Sequence, residues 1–437
     1  MSIEALTLVM FGGLLLLLAT GLPLAFVTGG IATGLIAWLW NPDALSLVVH
    51  RAWGQMSNYL LAAIPLFIFM ASMLEKAGLI EELFDVAYKW VGRVPGGLAI
   101  ATVLASTVLA AMVGVIGASV VTMGLVAMPA MLRKGYSSTL SIGTVMAGGT
   151  LGILIPPSVL AIVYALLANQ SVGELYLGSV LPGLLLSGLY TAYVAASALI
   201  NPAAAPRLAA EEMPTLRERL RLLRRIWAPV VLIFLVLGTI FLGVAAPTEA
   251  AAVGASGSIL VTALYRRLSW RTLQEALQQT ARSTAMVMWI VFGASVFVAF
   301  YVAAGGDDFV REILLGTGLT PTGILIVMNA ILIVLGMFLD WVGILYLAVP
   351  IFLPIIHELG FDPLWFGVLY LLNMQMSFLS PPFGYALFYV RGIAPQLKMG
   401  AIYRAAIPFL LLQLVGLIMV GLFPALATWL PRLAYGR

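Results

Sequence analysis

Two stretches of this sequence place adjacent prolines inside apolar runs: Gly152-Ile-Leu-Ile-Pro156-Pro157-Ser158 and Ser377-Phe-Leu-Ser380-Pro381-Pro382-Phe383-Gly384. Paired prolines remove two backbone donors and clash with the preceding turn, so a helix must break there. In lipid the carbonyls freed by a break must be buried in protein or bound to a cation. Carbonyl and hydroxyl oxygens are hard ligands suited to Na⁺, and broken helices in transporters serve this role. One such kink could be a packing feature stabilised by neighbouring helices. Two, each following a glycine-centred apolar block, favour paired ion sites. Those blocks are 97–132, with AAMVGVIGAS (110–119) at its middle, and 321–356, with Gly336, Asp340 and Gly343 at its middle. Their small residues suit a tight reversal inside the membrane; taken singly, each could be an ordinary helix pair or one long tilted helix.

Lipid is the solvent that composition demands. Of 437 residues, 62% are hydrophobic and 9% charged, and the mean hydropathy is +1.09. Soluble domains carry about 25% charged residues. There is no cysteine, which excludes disulfides and thiolate metal sites, and the two histidines are His50 and His357. A histidine-based metal or nucleophile–His–acid site is therefore nearly excluded. Neither glycine-rich stretch leads into Gly-Lys-Ser/Thr, so no ATP site is expected. The net charge of +4 reflects loop arginines and is not a nucleic-acid signal. The N-terminal MSIEALTLVMFGG has no basic region or small-residue cleavage site, and reads as a first membrane helix.

The elements that position the breaks are apolar spans expected at 3–20, 22–40, 58–74, 139–168, 176–200, 228–244, 247–265, 284–304, 364–391 and 405–428. Residues 78–92 mix apolar and charged positions at helical spacing, as an interfacial amphipathic helix does. The long polar stretch 201–225 carries Arg207, Arg217, Arg219, Arg221, Arg224 and Arg225 and divides the chain almost in half. The halves resemble each other. Pro23 and Gly30 recur as Pro247 and Gly254, an offset of 224. Pro129, Gly135, Pro156-Pro157 and Tyr164 recur as Pro354, Gly360, Pro381-Pro382 and Tyr389, an offset of 225. This reads as an internal duplication: 1–205, a basic cytoplasmic linker 206–226, and 227–437. If both glycine-centred blocks dip in and return, each half has five crossings and the second is inverted relative to the first. Cationic residues test that plan. With the N-terminus outside, 18 of the 22 Lys and Arg fall on the cytoplasmic side, leaving Arg51, Arg311, Arg432 and Arg437 outside.

Asp340, at the middle of the second block, is either functional or a solvated cap of a half-helix. Glu249 follows Pro247 at a helix start and suits an N-terminal cap. His357 beside Glu358 reads as a surface histidine.

The segments Gly114-Val-Ile-Gly-Ala-Ser-Val-Val-Thr-Met-Gly124, Pro129, Gly135-Tyr136, Ala147-Gly-Gly-Thr-Leu-Gly-Ile-Leu-Ile-Pro-Pro-Ser158, Leu181-Pro182-Gly183, Pro247-Thr-Glu-Ala250 and Ser380-Pro-Pro-Phe-Gly384 resemble the large membrane subunit of TRAP transporters, the tripartite ATP-independent periplasmic family. The resemblance covers essentially the whole chain. It implies an all-α polytopic fold of two inverted repeats and an elevator mechanism, with hairpins 97–132 and 321–356 and broken helices 139–168 and 364–391 moving against a scaffold. It implies Na⁺-coupled uptake of a small organic anion, a carboxylate or sulfonate, across the bacterial inner membrane. It also implies a small four-helix membrane partner and a periplasmic substrate-binding protein. Carried over by position, one Na⁺ site would use Ala110, Val113, Gly114, Gly117, Gly152, Ile155 and Ser158. The other would use Gly336, Ser377, Ser380 and Phe383. Family members often have serines near the first tip, where this chain has Ala110 and Val113. Ser119, Thr122, Asn373 and Gln375 could hydrogen-bond an organic acid. The alternatives are a stand-alone Na⁺/carboxylate symporter of related architecture, an intramembrane enzyme and a channel. The last two fit poorly with the missing catalytic residues and the paired broken helices.

Overall fold

A computed structural model of the chain describes residues 1–92, 94–114, 116–207 and 215–436. Among these residues the fold is helical throughout, without strands. The first half runs α1 (Ile3–Ala19), α2 (Leu24–Trp40), α3 (Ser46–Met56), α4 (Tyr59–Lys76), α5 (Leu79–Val91), α6 (Gly97–Val113), α7 (Ile116–Arg133), α8 (Ser138–Thr150), α9 (Val159–Ala168) and α10 (Val172–Ile200). After α11 (Leu216–Leu223), the second half runs α12 (Trp227–Phe241), α13 (Pro247–Leu264), α14 (Trp270–Ala303), α15 (Gly306–Gly316), α16 (Pro321–Gly336), α17 (Trp341–Glu358), α18 (Pro363–Ser377), α19 (Tyr385–Ile393), α20 (Met399–Leu422) and α21 (Ala425–Tyr435).

Helix starts repeat with the register of the sequence: Ser46 matches Trp270, Ile116 matches Trp341, and Ser138 matches Pro363. Contacts between the halves are reciprocal. Helix α2 packs on α14 as α13 packs on α4, α7 on α19 as α17 on α9, and α8 on α20 as α18 on α10. Reciprocity of this kind is what a two-fold relation between units produces. The halves are also tied by Arg267. Its guanidinium donates to the carbonyls of Ala77 (2.8 Å) and Gly78 (2.9 Å) and pairs with Glu82. A cation there satisfies the orphan carbonyls that end α4.

Six helices among the described residues are long and apolar enough to cross a membrane: α4, α7, α10, α14, α17 and α20. The pair α11–α12, bent by 50°, is a further candidate. Helices α7 and α17 are second arms of the expected hairpins, so length alone does not separate a crossing helix from a re-entrant arm. The Leu98 N–H donates to the Tyr136 hydroxyl at 3.2 Å, so α6 and α7 run antiparallel, the start of one beside the end of the other. That end is clamped by Ser137 N–H to Ala204 C=O (2.9 Å) and Tyr136 O–H to Pro206 C=O (2.9 Å). Residues 204–206, where the expected basic linker begins, are thus tied to the hairpin base.

Several boundaries differ from expectation for local reasons. Helix α14 begins at Trp270 rather than 284, whereas the matching segment of the first half is split into α3 and α4. The split falls at Ser57-Asn58, where the Asn58 side chain accepts the Leu60 N–H at 3.0 Å; short polar side chains offer the backbone this alternative to a helix. The last expected span, 405–428, instead ends at Leu422, and Pro424 precedes the separate α21. Helix α11 arises within the polar stretch because Thr215 and Glu218 form a capping box, with Thr215 N–H donating to Glu218 at 2.7 Å. The segment 78–92 forms α5, burying Leu79, Ile80, Leu83, Phe84 and Val86 on one face.

Candidate functional site

Both proline pairs break a helix. Helix α8 ends at Thr150, tightens through a 3-10 turn at Leu151–Ile153, and the chain runs irregularly to Ser158, which caps α9. The Ser158 hydroxyl accepts the Ala161 N–H at 3.3 Å and donates to the Ile153 carbonyl at 2.5 Å. At the second break, Ser377 donates to the Asn373 carbonyl and Ser380 to the Met376 carbonyl, each at 2.9 Å. The chain then turns so tightly that a Cβ on Gly384 would lie 2.6 Å from the Phe378 carbonyl oxygen. A serine that donates to the carbonyl four residues back keeps its oxygen lone pairs free to accept or to ligate.

Each hairpin tip rests on the break of its own half. Gly114 (φ 58°) closes α6 by donating to the Ala110 carbonyl at 3.3 Å. A Cβ on Gly114 would lie 2.6 Å from the Pro157 carbonyl oxygen. Gly117 faces the Tyr389 ring of α19, 3.0 Å from its would-be Cβ. At the other tip a Cβ on Gly336 would occupy the position of the Ser377 hydroxyl. Of the residues expected around the first ion, Gly114 meets the break directly, at Pro157 and Ser158. Ala110, Gly114, Gly152 and Ser158 are buried, and Ile155 packs on Gly183. Val113 ends α6, with its side chain outside the described residues. For the second ion, Gly336 meets Ser377, and Ser380 is buried further along the break. The Phe383 side chain is exposed, against Phe338 and Phe388.

The four expected substrate contacts lie elsewhere. Asn373 bonds Asn329 of α16. Gln375 reaches Thr150, its counterpart in the other half, and Tyr190, each at 3.4 Å. Ser119 is buried and Thr122 half-buried on α7. None of the four lines the large cavity of the molecule, about 710 Å³. That cavity lies between Phe26 of α2 and Gln279 and Trp289 of α14 on one side, and the hairpin tips and breaks on the other. Tyr385 and Tyr389 of α19 and Trp341 of α17 line it and were missed from sequence. The recurrence of Tyr164 as Tyr389 was the signal for one of them.

Asp340 lines the same cavity and is 9% exposed. Its carboxylate caps α17 through the Val342 N–H at 3.1 Å and hydrogen-bonds the Tyr385 hydroxyl. The capping role expected for it therefore coexists with access to the cavity. Glu249 accepts the Ala246 N–H at 2.8 Å, the structural role read for it. His357 is exposed in the last turn of α17.

The chain matches, over residues 11–426, the family described as tripartite ATP-independent periplasmic transporter, DctM component. It is 35% identical to the C4-dicarboxylate TRAP transporter large permease protein DctM of Pseudomonas aeruginosa over 404 residues, covering 92% of this chain and 93% of that one. It is 31% identical to the protein of the same description in Vibrio cholerae, covering 96% of each. In fold it is similar to the crystal structure of the Alcanivorax borkumensis YdaH transporter, with a TM-score of 0.61, 16% identity, and coverage of 92% and 96% of the two chains. The packed breaks and hairpin tips, the multi-span helical architecture and these matches together make the chain a member of the tripartite ATP-independent periplasmic (TRAP) transporter family, a large permease of the DctM type.

Proposed function

We propose that this chain is the transporting subunit of a Na⁺-driven importer of a small organic acid, working by an elevator movement without ATP hydrolysis. The observation that carries the reading is the seating of each glycine tip on the proline break of its own half, Gly114 on Pro157 and Gly336 on Ser377. Backbone comes that close only where side chains are kept out, and the serine hydroxyls beside it retain lone pairs for a cation. One Na⁺ is held around Ala110, Val113, Gly114, Gly117, Gly152, Ile155 and Ser158. A second is held by Gly336, Ser377, Ser380 and the Phe383 carbonyl. The tips, breaks and α19 move as one body against α2, α4, α13 and α14, and the organic acid sits in the cavity between the two groups. Relatives are named for C4-dicarboxylates, isethionate and sialic acid, and this range supports an organic acid without choosing one. The chain works with a small membrane subunit and a periplasmic binding protein in the bacterial inner membrane.

Uptake in proteoliposomes containing the small subunit, with binding protein added outside, is expected to depend on external Na⁺. One Na⁺ crossing 100 mV supplies about 2.3 kcal/mol. Two ions supply about twice that, so collapsing the gradient should cut accumulation at least tenfold, each ~1.4 kcal/mol being a factor of ten. Equal uptake in choline buffer would remove the sodium assignment. Undiminished uptake without binding protein would leave the stand-alone symporter in its place.

The N-terminus is assigned to the periplasmic side and the linker to the cytoplasm. The chain has no native cysteine, so single replacements report cleanly. In spheroplasts Asp308→Cys should react with an impermeant maleimide and Arg225→Cys should be shielded until the cells are lysed. The reverse pattern overturns the orientation.

A further inference from the structure

We propose that the basic segment leading into the second half binds the headgroup of an anionic phospholipid. Helix α11 and the turn after it carry Arg217, Arg221, Arg224 and Arg225, all exposed. Among the described residues none of the four forms an ion pair. The acid of this helix, Glu218, is engaged locally, its carboxylate accepting the Thr215 N–H at 2.7 Å and the Thr215 hydroxyl at 2.9 Å. Other cations that the sequence places on the same side of the membrane have partners: Arg267 pairs with Glu82, Arg271 with Glu275, and Lys89 with Asp85. The four arginines between 217 and 225 therefore form a concentrated positive charge for which the described residues hold no counter-charge beyond Glu218.

Their surroundings say what supplies it. Helix α11 departs from α12 by 50° and packs on α5. Its Leu222 is buried, whereas Leu220, Leu223 and the following Trp227 are exposed. At about 100° per residue, the Leu220–Leu223 stripe lies next to the Arg217–Arg221 stripe. Helices α12 and α13 run antiparallel, because Gly254 meets Val236 and Gly257 meets Leu232. The end of α13 thus returns beside the start of α12, bringing the exposed Arg266 to the same end. Trp270 follows, 76% exposed. Exposed tryptophans among arginines, at the ends of apolar helices, mark the membrane–water interface. Beyond the patch the outer surface of α12 and α13 is apolar, with Phe234, Leu235 and Leu260 exposed. A phospholipid matches both parts, its phosphate taking paired guanidinium hydrogen bonds and its acyl chains lying along α12 and α13. An acidic peptide would match the arginines only. A zwitterionic lipid would bring its own ammonium group among them, so the charge favours an anionic lipid.

Native mass spectrometry of the full chain with its small subunit, released from neutral detergent, tests this by titration with phosphatidylglycerol and, separately, phosphatidylcholine. The wild type should retain phosphatidylglycerol in clear preference. Replacing Arg217, Arg221, Arg224 and Arg225 together by glutamine should weaken phosphatidylglycerol binding roughly 100-fold or more, and each single replacement about three- to fivefold. The fourfold lysine variant keeps the charge and should keep the preference. Added salt should erode the wild-type preference, since exposed charges are screened. The single replacements are at exposed positions, so they report even if the fourfold glutamine variant elutes abnormally on gel filtration. Equal retention of the two lipids by the wild type overturns the proposal, and so does an unchanged preference in the glutamine variants. Displacement of phosphatidylglycerol by millimolar inorganic phosphate would show a site for free anions instead. Binding seen only when the small subunit is stripped away would assign the patch to that subunit, and either result overturns the lipid assignment. Neither Na⁺ nor transport enters the measurement, so its failure leaves the transport reading untouched.

Discussion

Gly336→Val is expected to nearly abolish Na⁺-dependent uptake while leaving the protein inserted and folded. Gly336 is the last residue of α16, and a side chain there would overlap the Ser377 hydroxyl and Cβ. Ser377 cannot retreat easily: its hydroxyl is held by the Asn373 carbonyl at 2.9 Å, and it is the last residue of a helix buried along its length. The tip must then lift away from the break. Overpacking of this kind costs about 1–3 kcal/mol, occasionally more. Set against ion binding, at ~1.4 kcal/mol per factor of ten, it weakens the apparent Na⁺ affinity by roughly fivefold to more than a hundredfold. Gly421→Val is the matched control, because a Cβ on Gly421 of α20 meets nothing within 4 Å. Uptake assayed across a Na⁺ titration should separate the two variants. If Gly336→Val kept the wild-type Na⁺ dependence, the second break would be a packing kink and the ion site would be withdrawn.

That the tip and the break would meet was legible in the sequence, because the signals are backbone signals. Pro156-Pro157 and Pro381-Pro382 stop a helix whatever surrounds them, and the constant register between halves placed a glycine-rich tip ahead of each. Ser158, Ser377 and Ser380 came from the family resemblance, carried over by position. The cavity was not legible. It is formed where α2 and α14 face α19, segments separated by up to several hundred residues, and no local periodicity encodes that approach. Asn373 and Gln375 are polar residues in an apolar helix, which singled them out as candidate contacts. In the structure they bridge helices, Asn373 to Asn329 and Gln375 to Thr150 and Tyr190. A buried amide needs partners, and neighbouring helices can supply them as well as a ligand can. Tyr385 and Trp341 escaped notice for the converse reason: aromatic residues in an apolar run look like core until the space beside them is seen. The short helices α3 and α15 were missed because their mixed polar and apolar residues blur the pattern that reveals a full span.

The first ion site admits a sharper separation of causes than the second. Gly114 has φ of +58°, and a Cβ on it would lie 2.6 Å from the Pro157 carbonyl oxygen. Gly114→Ala therefore carries two penalties, backbone strain and intrusion on the break. Gly135 carries only one. Its φ is +81°, and a Cβ there meets nothing closer than Pro206 at 3.8 Å. The left-handed conformation costs an L-residue about 1–2 kcal/mol, a loss of stability that both variants share and that melting in detergent would register alike. Intrusion is specific to Gly114, because the Pro157 carbonyl belongs to backbone fixed by two proline rings and cannot swing aside like a side chain. Gly114→Ala should thus lower uptake by roughly ten- to a hundredfold and shift its Na⁺ dependence to higher concentration, taking an added ~1.4–2.8 kcal/mol of misplacement at tenfold per 1.4 kcal/mol. Gly135→Ala should melt earlier yet transport with wild-type Na⁺ dependence. Matching behaviour of the two variants in the Na⁺ titration would mean that only strain is at work, and that the approach of Gly114 to the first break is structural rather than part of an ion site.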